Sequence, residues 1–81
     1  MRLDKYLKIT RIIKRRTVAN DACDTDRISV NGRVVKASYQ VKVGDEIEVS
    51  FGQRFLKVRV KDVREYANKD VAGELYEVID E

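Results

Sequence analysis

The spacing of apolar residues changes about a third of the way along this chain of 81 residues. Leu3, Tyr6 and Leu7 have the i, i+3, i+4 spacing of one helix face, which predicts a helix from Leu3 to about Thr10. A corner at residues 11–14 and a second helix from residue 15 to residue 23 or 24 are expected next. Beyond residue 27, apolar and polar residues alternate as in half-buried strands. The pattern predicts two helices followed by a β-sheet, with the Tyr6 ring in the core rather than exposed for stacking.

The predicted second helix has Val18, Ala22 and Cys23 as its apolar side. Asp26 follows the end of this pattern and is a candidate for positive φ, which Asp tolerates better than most residues. Cys23 is the only cysteine, so no internal disulfide can form. Its place in an apolar stretch favours a role in the core over a role as a reactive thiol.

Turn signals divide the predicted strands. Asn31-Gly32 lies between short β-branched runs and predicts a type I′ hairpin, because that turn needs positive φ at both central residues. Further turns are expected at Val43-Gly44-Asp45 and at Gly52-Gln53. The predicted strands are residues 27–30, 33–35, 46–51, 55–63 and 75–79, the last of them at the sheet edge, with a polar loop at 67–73. The 46–51 and 55–63 strands should pair with Glu opposite Lys or Arg.

Size and residue types narrow the classes of function. A chain of 81 residues is expected to form one small domain with a modest core and little mass for a deep catalytic pocket. It has no His, which excludes His-based triads and His metal sites, and no cofactor or metal is expected. No apolar run is long enough to span a bilayer, and the N-terminus lacks the apolar segment of a signal peptide. We therefore expect a cytoplasmic protein with no membrane partner.

Residues 1–16 are the most one-signed window of the chain, with seven Lys or Arg and a single acid, Asp4. Residues 1–40 carry a net charge of +6 and residues 41–81 a net charge of −3. An apolar stripe flanked by cations is typical of a docked helix that offers charge to a polyanion. The uneven charge predicts one nucleic-acid face and one solvated face, the alternative being charges that simply cover a small fold.

The candidate phosphate-binding residues are cations of this basic half, and Arg adds a planar fork that can grip two oxygens. Arg15 and Arg16 stand near the start of the second helix, where cations oppose the helix dipole. An anion docked at that helix end would explain them. Arg33 and Lys36, just beyond the Asn31-Gly32 turn, either extend the basic face or belong to an ordinary charged hairpin. The RNA-binding candidates are Arg2, Lys5, Arg11, Lys14, Arg15, Arg16, Arg33 and Lys36.

Several separated blocks resemble the S4 RNA-binding domain. They are Arg2-Leu3-Asp4-Lys5-Tyr6-Leu7, Arg16 with Ala19, Ile28-Ser29-Val30-Asn31-Gly32 and Gly44-Asp45-Glu46-Ile47. The resemblance implies an α+β fold in which two N-terminal helices, called the αL motif, pack on a small, mostly antiparallel sheet of about five strands. We expect a single domain over residues 1–81, with the core motif at about 1–50 and a C-terminal strand extension at about 51–81. Asp26 stands where the S4 pattern usually has Gly.

Further blocks are similar to the short stand-alone S4 proteins of ribosome-associated quality control. They are Met1-Arg2-Leu3-Asp4-Lys5, Ile13-Lys14-Arg15-Arg16-Thr17, Lys36-Ala37-Ser38 and Val49-Ser50-Phe51-Gly52-Gln53. This resemblance implies a non-catalytic monomer that binds 23S rRNA of the large ribosomal subunit and peptidyl-tRNA. It also implies support for C-terminal tailing of stalled nascent chains by a tailing factor. Arg2 and Arg16 match the positions that this family uses for RNA contact.

Other functions stay open at this stage. A heat-shock relative with the same domain implies recycling of free large subunits that carry nascent chains. S4 domains are also fused to RNA-modifying enzymes, although this chain shows no nucleophile–base pair and no metal-ligand spacing. An adaptor could instead use the acidic half against a basic protein, through Glu46, Glu48, Glu74, Glu77, Asp80 and Glu81.

Overall fold

Two helices open the fold, and four strands, a short third helix and a last strand follow. The computed structural model describes residues 1–65 and 68–80. Ala67, the first residue of the predicted polar loop, and Glu81 of the acidic half lie outside these residues. The elements are α1 (Leu3–Ile9), α2 (Arg16–Asp24), β1 (Ile28–Val30), β2 (Arg33–Val34), β3 (Glu46–Phe51), β4 (Arg54–Val60), α3 (Lys69–Ala72) and β5 (Tyr76–Asp80).

The strands of the described residues form one antiparallel sheet in the order β2-β1-β3-β4-β5. One face of this sheet packs against α1 and α2, and the other face is open to solvent. The predicted α+β class, with two N-terminal helices on a five-stranded sheet, is confirmed. The buried cluster that joins the two layers consists of Leu3, Tyr6, Leu7, Ile13, Ala19, Ala22, Cys23, Ile28, Val30, Ala37, Val41, Ile47, Val49, Val58 and Val60.

The apolar stripe of α1 is buried, as its spacing predicts. Leu3, Tyr6 and Leu7 are all fully buried against the sheet. The Tyr6 hydroxyl donates a hydrogen bond to the backbone oxygen of Leu75 at 2.8 Å, which satisfies the one polar group of this side chain. Tyr6 is therefore a core residue that also ties α1 to the C-terminal part of the chain.

Turns with left-handed backbone bracket α2. Arg11 has a φ of 62° in the corner that separates the first two helices, and Asp26 has a φ of 60° after the second. At the end of α1, Thr10 donates from its Oγ1 to the Tyr6 backbone oxygen at 2.9 Å, closing the last turn. The predicted corner and the predicted positive φ of Asp26 are confirmed.

The apolar side of α2 differs in one residue from the prediction. Ala19, Ala22 and Cys23 are buried, whereas Val18 is 50% exposed, so its assignment to the apolar side is wrong. Successive helix residues are about 100° apart, and Val18 falls roughly 90° from the centre of the face that the other three define. The small residues bring α2 close to α1 and the sheet.

The Asn31-Gly32 hairpin has the predicted type I′ geometry, with φ of 53° and 83° at the two residues. The Asn31 side chain also reaches β3, since its Nδ2 donates to Asp45 at 3.1 Å and its Oδ1 accepts from the Glu46 amide at 3.0 Å. Asp45 accepts further hydrogen bonds from the Tyr39 hydroxyl and the Lys42 amide, both at 2.9 Å. Asp45 is thus a turn residue that links the hairpin turn to the loop before β3.

The open face of the sheet carries the cross-strand charge pairs that the alternation predicts. Glu46 stands opposite Arg59, and Glu48 opposite Lys57. The Glu46 carboxylate lies 3.7 Å from Lys57 Nζ and 3.9 Å from the Arg59 guanidinium. Glu77 of β5 adds a contact at 4.0 Å to Arg59. Lys57 and Arg59 are thus both paired with acids of the same face.

The chain beyond β4 departs from the predicted elements. The strand ends at Val60 rather than at residue 63, because the amides of Lys61 and Asp62 donate to Leu75 and not to a neighbouring strand. The predicted polar loop contains the helix α3, whose first turn is capped by Asn68 accepting from the Val71 amide at 2.9 Å. β5 lies at the sheet edge as predicted. None of the helices within residues 1–65 and 68–80 is long and apolar enough to cross a bilayer.

The hairpin turn generates a stability prediction with an internal control. Added Cβ atoms at Gly32 and at Gly73 would both meet open space, but Gly32 has a φ of 83° and Gly73 a φ of −70°. We expect Gly32→Ala to lower the free energy of unfolding by about 1–2 kcal/mol, since Ala disfavours the left-handed region. Gly73→Ala should be neutral or stabilise by up to about 1 kcal/mol. Urea denaturation measures both, and equal effects would contradict the assigned turn geometry.

Candidate nucleic-acid interface

Cations from α1, the corner and the start of α2 converge on one concave surface, which we call the basic depression. Lys5 and Lys8 are three residues apart on α1, so they share a side of the helix. The left-handed turn at Arg11 then redirects the chain, and Arg16 opens α2 on the far side. The depression has a volume of about 470 Å³ and is lined by Lys5, Lys8, Ile9, Arg11, Lys14, Arg16 and Glu65.

A buried carboxylate organises the two arginines beside this depression. Asp4 is 1% exposed and accepts from Arg2 Nε at 3.1 Å, from Arg2 Nη2 at 3.3 Å and from Arg16 Nε at 3.3 Å. Asn20 Nδ2 donates at 3.4 Å and the Lys5 amide at 2.8 Å. The Arg2 and Arg16 side chains stay 44% and 47% exposed. Asp4 therefore holds both guanidinium groups from below while leaving them accessible.

The backbone around Arg2 is fixed as well. Residue 2 forms an isolated antiparallel bridge with Gln40. The Leu3 amide donates to Tyr39 at 2.8 Å, and the Val41 amide donates to Met1 at 2.9 Å. Because the main chain and the guanidinium of Arg2 are both held, little conformational entropy remains to be lost when a ligand binds.

Arg16 lies between two concave surfaces. A second depression of about 440 Å³ is lined by Arg2, Asp4, Arg16, Thr17, Asn20 and Asp21. Arg16 lines both this surface and the basic depression. It is bound to Asp4 through Nε, so its two terminal nitrogens are the atoms that can meet an incoming anion.

The charge state of Asp4 follows from its surroundings. Burial by itself raises the pKa of a carboxyl group, but the hydrogen bonds from Asn20, Arg2, Arg16 and the Lys5 amide outweigh burial and lower the pKa of Asp4 below its ordinary value. The carboxylate therefore stays ionised near neutral pH. It neutralises part of the positive charge in residues 1–16 and keeps Arg2 and Arg16 from repelling each other.

The predicted site residues separate into three groups. Lys5, Arg11, Lys14 and Arg16 meet in the basic depression, and Arg2 lies in the second one. The other three candidates line neither surface as described. Arg15 is the exposed residue before α2, Arg33 is exposed on the edge strand β2, and Lys36 is exposed after that strand.

Sequence reasoning missed three residues of this region. Lys8 completes the i, i+3 series from Lys5 to Arg11, and that spacing is a signal that could have found it. Asp4 is the only acid among the first sixteen residues, which could also have singled it out. Glu65 comes from a segment 60 residues after its partner Lys5, and no local pattern indicates this contact.

The chemistry available here is anion binding. Within residues 1–65 and 68–80 there is no group of His, Cys, Asp and Glu that could hold a metal ion. Burial, together with the charges of Asp4 and Asp24, raises the pKa of the Cys23 thiol to about 11, so the thiol stays protonated at neutral pH. The expected core role of Cys23 agrees with its burial at 2% exposure.

Asp4 makes stability depend on pH. Its folded-state pKa is lowered, so its contribution is present above the unfolded pKa of about 4 and is lost as pH falls through the folded value. We expect Asp4→Asn to lower the free energy of unfolding by about 1–3 kcal/mol at pH 7 and by less at pH 3, where part of the ionic contribution is lost. Chemical denaturation at the two pH values measures this. Asp24→Asn, an exposed control on α2, should cost under about 0.5 kcal/mol; an equal loss at pH 7 and pH 3 for Asp4→Asn would contradict the ionic role.

Comparisons with known proteins relate this chain to one domain family. The family model described as S4 domain matches residues 1–47. The RQC P-site tRNA stabilizing factor of Halalkalibacterium halodurans is 51% identical over 78 residues, which covers 96% of this chain and 89% of the relative. The factor of the same name from Streptococcus pneumoniae is 49% identical over 81 residues, covering 100% of this chain and 92% of the relative.

A solved structure has the same fold as this chain. The trimeric structure of Vibrio cholerae Heat Shock Protein 15 matches with a TM-score of 0.89 at 25% sequence identity, covering 96% of this chain and 80% of that chain. The predicted resemblance and the predicted fold are thereby confirmed. The chain belongs to the S4 domain family, where it groups with the RQC P-site tRNA stabilizing factors.

Proposed function

We propose that this chain is a non-catalytic RNA-binding protein that binds the large ribosomal subunit, through 23S rRNA, and tRNA in ribosome-associated quality control. The observation that carries the proposal is the convergence of five cations, Lys5, Lys8, Arg11, Lys14 and Arg16, on the basic depression. The name shared by the relatives, RQC P-site tRNA stabilizing factor, supports tRNA as one ligand. Bound there, the protein would support C-terminal tailing of a stalled nascent chain.

The mechanism is positional and electrostatic. Structured RNA is recognised mostly by its shape and its backbone, so phosphate contacts from a rigid surface are sufficient to orient a protein on it. Arg16 offers its terminal nitrogens between the two depressions, and Asp4 holds it in place. The two concave surfaces can thus engage successive phosphates, or phosphates from two adjoining RNA strands.

In this proposal, residues 1–81 act as one RNA-binding domain. The Tyr6 hydroxyl bond to Leu75 connects the helix pair to the C-terminal extension. Arg15, Arg33 and Lys36 remain exposed cations that a large RNA surface can reach beyond the two depressions. The proposed partners are 23S rRNA, peptidyl-tRNA and a tailing factor on the stalled subunit, met by a cytoplasmic monomer.

Recycling of free large subunits is the second candidate. The likeness to the Vibrio cholerae Heat Shock Protein 15 structure favours it, because the fold matches over nearly the entire chain. Purification of the tagged protein from cells separates the two functions by what accompanies it. Tailing support requires subunits with peptidyl-tRNA and a tailing factor, whereas recycling requires subunits with peptidyl-tRNA and no such factor.

Affinity for RNA should fall steeply with salt if the five cations of the basic depression bind phosphates. Each phosphate neutralised contributes roughly −0.7 to −0.9 to the slope of log K against log salt concentration, so five contacts predict a slope of about −4. Fluorescence anisotropy with labelled tRNA, and sedimentation with purified large subunits, measure this between about 50 and 200 mM salt. A slope near zero with both ligands would contradict the proposal.

The arginine shared by the two depressions provides a matched mutational test. Arg16→Ala should weaken tRNA and subunit binding by roughly tenfold or more, as expected for a charged contact of about 1.5–3 kcal/mol. The fold should persist, because Asp4 keeps its bonds to Arg2, Asn20 and the Lys5 amide.

Arg59→Ala is the control for this test. Arg59 lies on the open sheet face, is ion-paired to Glu46, and has the same 47% side-chain exposure as Arg16. Its removal changes net charge equally and should alter binding only slightly. Equal losses for the two variants would show that net charge, and not the basic depression, governs binding; circular dichroism checks that both variants fold.

A further inference from the structure

We propose that Glu65 is an internal competitor for phosphate, whose carboxylate holds the Lys5 end of the basic depression until RNA displaces it. This inference rests on the proposed function, because it assumes that the depression binds RNA phosphates. It adds a residue from the C-terminal extension that limits affinity and favours ligands with several phosphates.

Glu65 differs from every other residue that lines the basic depression. The other lining residues are five cations and Ile9, so Glu65 brings the one negative charge to that surface as the structure describes it. Its Oε2 pairs with Lys5 Nζ. A carboxylate oxygen on a Lys ammonium takes the place that a phosphate oxygen would take. Glu65 is therefore positioned where a ligand would bind.

The position of Glu65 is set by the fold rather than by the Lys5 contact alone. The preceding segment is tied to Leu75, which accepts from the amides of Lys61 at 2.8 Å and Asp62 at 3.1 Å. The Asp62 carboxylate accepts in turn from the Val63 amide at 2.8 Å and from Arg64 Nε at 2.7 Å. Arg64 is thus paired with Asp62, and Glu65 lies at the basic depression.

The pair is also easily displaced. The Glu65 side chain is 65% exposed and that of Lys5 is 38% exposed. Ion pairs in such settings are screened by water and salt and hold weakly. The hydrogen bond and the charge of Lys5 lower the pKa of Glu65, so the carboxylate is ionised throughout the neutral range. The negative charge of Glu65 is therefore present throughout this pH range, and Glu65 leaves Lys5 only when another anion competes for the ammonium group.

This competition distinguishes ligands by the number of phosphates they present. A single phosphate must replace Glu65 at Lys5 and gains little, because one anion exchanges for another. An RNA backbone that already contacts Lys8, Arg11, Lys14 and Arg16 brings its next phosphate to Lys5 at a high effective concentration. Glu65 therefore suppresses weak binding of small anions more than binding of structured RNA.

The test compares Glu65→Gln with Glu77→Gln in the full chain. Glu77 is a matched control, since it is 54% exposed, ion-paired to Arg59 and located on the open sheet face. Both variants raise net charge by one. We expect Glu65→Gln to bind labelled tRNA about 3- to 10-fold more tightly at each salt concentration between about 50 and 200 mM, with the slope of the unmodified chain, because Lys5 contacts a phosphate in both complexes and only the competition from Glu65 is removed. Glu77→Gln should change the affinity only slightly, because Glu77 pairs with Arg59 and not with a cation of the basic depression.

A double-mutant cycle with Lys5→Ala locates the effect. Without Lys5, the substitution Glu65→Gln should act no more strongly than Glu77→Gln. Equal affinities for the two Gln variants, or weaker binding by Glu65→Gln, would overturn the role of Glu65 while salt-dependent tRNA binding by the unmodified chain still supports the proposed function. Absence of salt-dependent binding by the unmodified chain would overturn both.

Discussion

The buried carboxylate of Asp4 is the interaction on which the arrangement of the basic surface depends. A charged group removed from water is costly unless its hydrogen-bonding capacity is filled. Asp4 meets that condition with donors from Arg2, Arg16, Asn20 and the Lys5 amide. These donors come from the residue before α1, from α1 itself and from α2. The requirement to satisfy one carboxylate therefore sets how the two helices meet and where two arginines present their charge.

The sheet contributes rigidity at a distance from these contacts. The Asn31 and Asp45 side chains link the hairpin turn, the loop before β3 and the start of that strand. Tyr6 joins the buried side of α1 to Leu75, so the segment after β4 is held against the helix pair. A domain of this size buries a modest core, and such polar ties limit the motions that a small core alone would permit. The basic depression consequently forms on a surface whose walls are fixed from two directions.

Local patterns predicted most of the fold because the features that encode it lie within a few residues of one another. The stripe of Leu3, Tyr6 and Leu7, the Asn31-Gly32 turn and the Glu–Lys alternation of β3 and β4 each specify their geometry without reference to the rest of the chain. Val18 was misassigned because burial on a helix depends on which face the partner covers. The helix α3 was missed because four residues leave no periodicity, although Asn68 was a capping signal.

The candidate site was predictable to a different extent. Clustering of cations along residues 1–16 indicated Lys5, Arg11, Lys14 and Arg16, since neighbours in sequence were also neighbours in space across α1, the corner and the start of α2. Charge counting could not indicate that Arg2 and Arg16 share one buried acid, which requires the angle between α1 and α2. Nor could it indicate Glu65, because the contact with Lys5 spans 60 residues. Such contacts depend on the topology of the whole chain, which composition and spacing do not encode.

Asp4, beside the basic depression, and Glu65, within it, act in opposite ways for the same physical reason. Asp4 is 1% exposed and surrounded by donors, so a phosphate cannot replace it without leaving several donors unpaired in a dry environment. Glu65 is largely exposed and has a single ammonium partner, so water and salt already compete with it. A negative charge thus becomes a permanent part of a cationic site when it is buried and fully bonded, and a displaceable one when it is solvated. The extent of burial therefore decides whether an acid among cations helps to build an anion site or competes with its ligand.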